Sequence, residues 1–123
     1  MRVFKTRYFA RYACKENISD STLIKAVKEI ENGIVGAVLG GGIIKKRIPR
    51  EGSGKRGGYR TLIAYKASDR SLFLLGFAKN EKENIDKDDL SDLKEVSKDF
   101  LSADIFSIEK SLQAGDIEEI PYG

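Results

Sequence analysis

Three short runs rich in β-branched and aromatic residues, Ile43 to Ile48, Tyr59 to Lys66 and Ser71 to Phe77, follow one another with only glycine-rich or polar connections between them. This succession commits the middle of the chain to a small sheet. The last two runs, joined by Ala67 to Arg70, are expected to pair as an antiparallel hairpin. In the first run the two-residue period puts Ile43, Lys45 and Arg47 on one face and Ile44, Lys46 and Ile48 on the other, and the second set has the better core pattern. Pro49 lacks a backbone donor and is expected to end that ladder. Ile44, Ile48, Leu62, Leu72 and Leu74 read as sheet core.

The same region concentrates charge. From Gly40 to Arg60 the bases Lys45, Lys46, Arg47, Arg50, Lys55, Arg56 and Arg60 face the single acid Glu51, a local balance of +6 in a chain whose total is +3. Lys45 and Arg47 alternate on a strand and so project from one side, and the glycines around Lys55 and Arg56 let backbone amides approach a phosphate closely. Arg60 and Lys66 share a face of the next strand, and Lys79 follows the third. Such a cluster attracts a nucleic-acid backbone with steep salt dependence. Five tyrosines are available to stack on bases or pack; Tyr59 sits beside the cations, whereas Tyr8 and Tyr12 share a helical face at i, i+4.

The flanks read as helical. Val3 and Phe4 can begin a short strand, and Thr6 can cap a helix through about Lys15. Ser19, Asp20 or Ser21 can cap a second helix whose Leu23, Val27, Ile30 and Ile34 fall on one face, with Gly33 as its stop. IVGAVLGGG then reads as a loop leading into the sheet. From Asn80 onward 13 acids stand against 5 bases, a balance of −8 that opposes the cationic centre. Asn84 or Asp86 can cap a helix with Leu90, Leu93, Val96, Phe100 and Leu101 along one stripe. A further helix with Ile105, Ile108 and Leu112 is expected after Ser102, stopped by Gly115. IEEIPYG is expected to add an edge strand or remain mobile.

At 123 residues the chain fits one domain. No apolar run is long enough for a membrane span, and MRVFKTRYFARY lacks the uninterrupted apolar core of a signal peptide, so the expected location is the cytoplasm. Cys14 is the one cysteine and there is no histidine. An internal disulfide and Ser/His or Cys/His nucleophile schemes are therefore excluded, no zinc site is expected, and no cofactor is implied. GSGKRGG fails as a nucleotide-binding P-loop, because Gly54-Lys55 is followed by Arg56 and Pro49 occupies the place of the first glycine. What the cations can do is stabilise the extra negative charge of a phosphorane formed when RNA is cleaved by its own 2′-hydroxyl.

The order helix, helix, three strands, acidic helix, together with KKRI, GKRGGYR and FLLGFAKNEKENI, resembles the RelE/HigB branch of the RelE/ParE toxin superfamily over about residues 4 to 101. The resemblance implies an α+β fold of microbial-ribonuclease type, with N-terminal helices packed on a small twisted antiparallel β-sheet and C-terminal helices following. It divides the chain into a toxin domain, 1–101, and a helical extension of the same domain, 102–123. By position, Lys45 and Arg47 match the family's alternating basic pair, Arg60 the arginine of its central strand and Lys79 the lysine closing the next. In the RelE pattern an arginine follows that lysine; here the place holds Asn80, as HigB-type sequences tolerate, and the general acid is unassigned.

The implied activity is a ribosome-dependent, metal-independent endoribonuclease that cleaves messenger RNA, the toxin of a type II toxin-antitoxin pair. Lys45, Arg47 and Arg60 would hold the phosphate, with Tyr59 or Lys79 assisting proton transfer, and Lys46, Arg50, Lys55 and Arg56 would dock ribosomal RNA. Its partners would be the ribosome, mRNA and a cognate antitoxin whose acidic segment covers the cationic face or displaces the acidic C-terminal helix. The alternatives are a ParE-like gyrase poison and a non-catalytic RNA-binding module.

Overall fold

A computed structural model describes residues 1–50, 54–78 and 86–122, with the side chains of 54–57 outside the description. Among the described residues, six strands and four helices alternate as β1 (Arg2–Thr6), α1 (Arg7–Lys15), α2 (Asp20–Glu31), β2 (Ala37–Gly40), β3 (Ile43–Arg50), β4 (Gly54–Lys66), β5 (Arg70–Ala78), α3 (Lys87–Ser102), α4 (Ile105–Ala114) and β6 (Ile117–Ile120). The strands form one sheet in the order β2-β3-β4-β5-β1-β6. Every neighbouring pair is antiparallel except β1 with β5, which is parallel. The fold is α+β, as expected, but the sheet is mixed.

The helix starts follow the side-chain chemistry. Thr6 accepts from the Phe9 amide, Ser19 from that of Thr22, Asp86 from those of Asp88 and Asp89, and Asp104 from that of Ser107. Each satisfies donors that a helix leaves open at its first turn. Gly115, with φ of +77°, ends α4 in the left-handed conformation that glycine adopts without penalty.

Each face of the sheet is covered. On one, Phe9 and Ala13 of α1 and Leu23, Ala26, Val27 and Ile30 of α2 pack on Ile44, Ile48, Tyr59, Ile63 and Phe73. On the other, Phe100 of α3 and Ile108 of α4 pack on Phe4, Ile43, Leu62, Leu72 and Leu74. Burial of the largest side chains is complete on both, since Phe4, Phe9, Phe73 and Leu62 are all 0% exposed. At about 25 cal/mol per Å² of apolar surface, each such side chain contributes roughly 2 kcal/mol. Helix α3 is also tied by polar bonds. Arg70 Nη1 donates to the Phe100 and Ala103 carbonyls at 3.0 and 2.6 Å, and Ser97 Oγ donates to the Gly41 carbonyl at 2.7 Å.

Some expectations change. The segment read as a loop before Ile43 contains β2, which pairs with β3 through Gly41 and Gly42 at φ of +63° and +81°. Two positive-φ residues in succession are what a tight hairpin turn needs. As an edge strand with mostly exposed residues, β2 carries no burial pattern to announce it. Ile34 lies beyond the end of α2 and is 55% exposed, so it leaves the helix stripe. Pro49 does not end β3: a register shift between Ile48 and Arg50 takes the missing donor out of the ladder, and pairing resumes at Arg50 with Gly54. IEEIPYG supplies β6, paired with β1.

Candidate phosphate-binding site

Pairing of β3 with β4 brings three of the expected cations onto one face. Arg47 stands directly opposite Arg60, and Lys45 opposite Leu62. Across the other side of β4, Arg60 faces Phe77 of β5. These residues belong to the same face as Ile43 and Leu62, under α3 and α4. Arg47 is exposed and Lys45 half-buried, whereas Arg60 is only 7% exposed. Its Nη1 is buried with no hydrogen-bond partner.

That combination is costly. Like charges directly opposite on neighbouring strands repel, and a buried donor left unsatisfied forfeits about 1–3 kcal/mol of solvation. Phe77, 5% exposed, adds an apolar wall beside the guanidinium and so strengthens any field there. An anion seated between Arg47 and Arg60 would remove the repulsion and satisfy the orphaned donor together. Arginine's planar fork suits a phosphate's oxygens in this role.

Two residues assigned to this chemistry lie on the opposite face. Tyr59 is 3% exposed and packed against α1 at the Tyr12 ring, 5.9 Å between centroids, with its hydroxyl donating to Glu16 Oε1 at 3.1 Å. The correction follows from strand periodicity, since Tyr59 and Arg60 are consecutive and must point apart. Tyr59 is thus a core residue whose side chain lies on the other face of β4 from Arg60. Lys46, 4% exposed, is turned toward α2, where Nζ lies 3.1 Å from Glu29 Oε1 and donates to the Ile34 carbonyl at 2.9 Å. Its ammonium is engaged within the fold and not presented with Lys45 and Arg47. Its role is to fasten α2 and the segment after it to β3, work that its place between Ile44 and Ile48 fits.

Arg50 is exposed and stands over the Tyr59 ring, 5.7 Å from its centroid, at the far edge of the strand pair. Lys79 lies outside the described residues, as do the side chains of Lys55 and Arg56. Lys66 is the last residue of β4, with Arg60 in the middle of that strand, and its Nζ lies 3.4 Å from Asp69 Oδ2. Sequence reading missed Phe77 as a wall of the site; its direct register with Arg60 becomes visible only once β4 and β5 are paired.

No group of three or more potential metal-ligating side chains occurs among the described residues, and none of their helices is long and apolar enough to cross a membrane. A concavity of about 520 Å³ between α3 and α4 is lined by Val96, Phe100, Ile108 and Ile117 among others, away from Arg60. Arg47 stands exposed at the rim of the arginine pair, where the backbone of a polymer can reach it.

Comparison with curated proteins and with solved structures finds no match. The family model described as the RelE toxin of the RelE/RelB toxin-antitoxin system matches residues 1–120, nearly the whole chain, including β1 and β6 as well as the basic strands. With that match over this α+β scaffold, the chain belongs to the RelE toxin family.

Proposed function

We propose that this toxin is a ribosome-dependent endoribonuclease in which Arg47, Arg60 and Lys45 bind the scissile phosphate of messenger RNA. Toxins of the family are generally mRNA-cleaving endoribonucleases, each countered by an antitoxin. The observation that carries the reading for this chain is the buried, unpartnered Arg60 Nη1 set opposite Arg47.

In the proposed step the 2′-hydroxyl oxygen attacks the adjacent phosphorus and loses its proton. The phosphorane then expels the 5′-oxygen, which takes up a proton, leaving a 2′,3′-cyclic phosphate and a 5′-hydroxyl. Negative charge on the non-bridging oxygens is greatest at the phosphorane. Donors fixed before the substrate arrives stabilise it more than the ground state and need no reorganisation. Because Arg60 is already buried beside Phe77, the guanidinium loses little freedom on binding. Lys45 supplies the third positive charge on the same strand face, and Lys79 is retained as the candidate for proton transfer. Metal-independence is part of this proposal.

Induced expression in a bacterial host, with growth followed alongside 5′-end mapping of transcripts, tests it on wild type and on Lys45→Ala, Arg47→Ala and Arg60→Ala. New ends confined to translated regions and abolished by the substitutions are expected. Growth arrest without new ends would overturn the nuclease and favour a gyrase target.

A further inference from the structure

Helix α3 separates its charges. With about 100° between successive residues, Lys94 and Lys98 fall on the flank beside the β2–β3 turn, while Asp92, Glu95 and Asp99 fall on another flank. Lys94 lies across the turn itself. A Cβ built on Gly41 would stand 2.9 Å from Lys94 Cβ, and one built on Gly40 would stand 3.4 Å from Nζ, so the ammonium is delivered to the edge of β2. Only glycine leaves the room for that side chain. One turn further, Lys98 joins Lys66, Gly41, Gly42 and Tyr65 around a cleft of about 550 Å³.

Among the described residues no ion pair involves Lys94 or Lys98, and at i, i+4 they repel each other. Lys66 has the exposed carboxylate of Asp69 at 3.4 Å, a contact that water screens heavily. These lysines are continuous with the arginine site. Lys45 is two residues from Arg47 along β3; the strand then reaches Ile43, the register partner of Gly40, where Lys94 begins. The steps along this line are on the order of 6 Å each, the scale of one nucleotide of extended chain. Val38, the exposed large apolar residue of β2, points with its partner Ile44 to the opposite face, away from these lysines.

We propose that the RNA strand held at Arg47 and Arg60 continues over Lys45, Lys94, Lys98 and Lys66, making the lysine flank of α3 a second contact for the phosphate backbone. The inference rests on the nuclease reading of the same face and adds to it a direction for the strand. It also gives one side of an otherwise acidic helix a function.

The test is the salt dependence of binding to single-stranded 2′-O-methyl RNA, which cannot be cleaved by its own 2′-oxygen, at lengths of about 4 and about 16 nucleotides. The triple substitution Lys66→Gln, Lys94→Gln, Lys98→Gln should lower the slope of log K against log salt by about 2 for the long RNA, from about 0.7 per lost contact. It should leave the short RNA unchanged. Arg11→Gln, Lys15→Gln, Lys25→Gln removes the same charge from the helices of the opposite face and should change neither. An unchanged slope for the lysine triple on long RNA, or an equal drop from the control triple, overturns the proposal. Arg60→Ala separates the two readings: it should weaken both lengths. If it weakens neither while the lysine triple lowers the long-RNA slope, the flank stands as an RNA contact and the arginine site falls.

Discussion

Arg47 and Arg60 face each other across the β3–β4 ladder with one guanidinium in solvent and the other buried against Phe77. A chain selected for stability alone would not keep this pair. Arg60→Met keeps most of the volume, removes the repulsion and removes the orphaned donor. It should raise the unfolding free energy by about 1 kcal/mol while lowering cleavage by about 10²–10³-fold. Denaturant unfolding and transcript end-mapping on the same variant check both signs, and a destabilised Arg60→Met would show that the arginine is structural.

Lys46 and Glu29 make the opposite case. Removing one partner leaves the other desolvated, with Lys46 only 4% exposed. Lys46→Met should cost about 3 kcal/mol, and the double variant with Glu29→Leu should recover most of it. Neither change should alter RNA affinity. A loss of RNA binding in a folded Lys46→Met protein would restore this lysine to the docking surface.

Tyr59→Phe deletes the bond to Glu16 and nothing on the arginine face. The expected result is about 1 kcal/mol less stability and unchanged cleavage. Loss of cleavage at full stability would return the hydroxyl to the chemistry.

Gly58 lies in β4 where a Cβ would stand 2.0 Å from the Ile48 carbonyl oxygen, which is backbone and cannot swing away. Gly58→Ala should therefore destabilise by about 1–3 kcal/mol. It should also reduce cleavage by displacing Arg60 two residues on, as seen in a lower unfolding midpoint together with fewer transcript ends.

Acid stability has an identifiable contributor. Arg2 holds the Glu119 carboxyl below its ordinary value of 4.5, chiefly through their hydrogen bond, which runs from Nε to Oε2 at 2.9 Å. A depressed carboxylate means that the unfolded chain takes up a proton first. Its stabilisation is full above about pH 4.5 and disappears as pH falls through the folded value. Glu119→Gln should flatten the decline of melting temperature on the acid side of pH 4.5 and leave the curve near neutrality almost parallel to wild type.

Much of this arrangement was legible in the chain. The caps at Thr6, Ser19 and Asp86, the Leu23, Val27 and Ile30 stripe and the stop at Gly115 are local signals, and the structure uses them all. Alternation alone placed Lys45 and Arg47 together, and the same rule already set Tyr59 apart from Arg60. The burial of Lys46 could be suspected from its isoleucine neighbours, but its justification, Glu29, comes from a helix whose position over β3 is a tertiary fact. The parallel pairing of β1 with β5 left no mark in the sequence, because a five-residue strand carries no information about its neighbours' direction. Phe77 read only as strand, and its role as the wall behind Arg60 depends on register.

The placement of β1 also sets a schedule. It precedes every other strand of the sheet, yet one of its edges is filled by β5 and the other by β6, whose Ile120 pairs with Val3. Pairings so distant in sequence are the slow ones to form. Until they do, β1 exposes a free edge. The sheet that carries the cationic face therefore closes last at the margin remote from that face, and the fold is complete only once β6 has been made and has found β1.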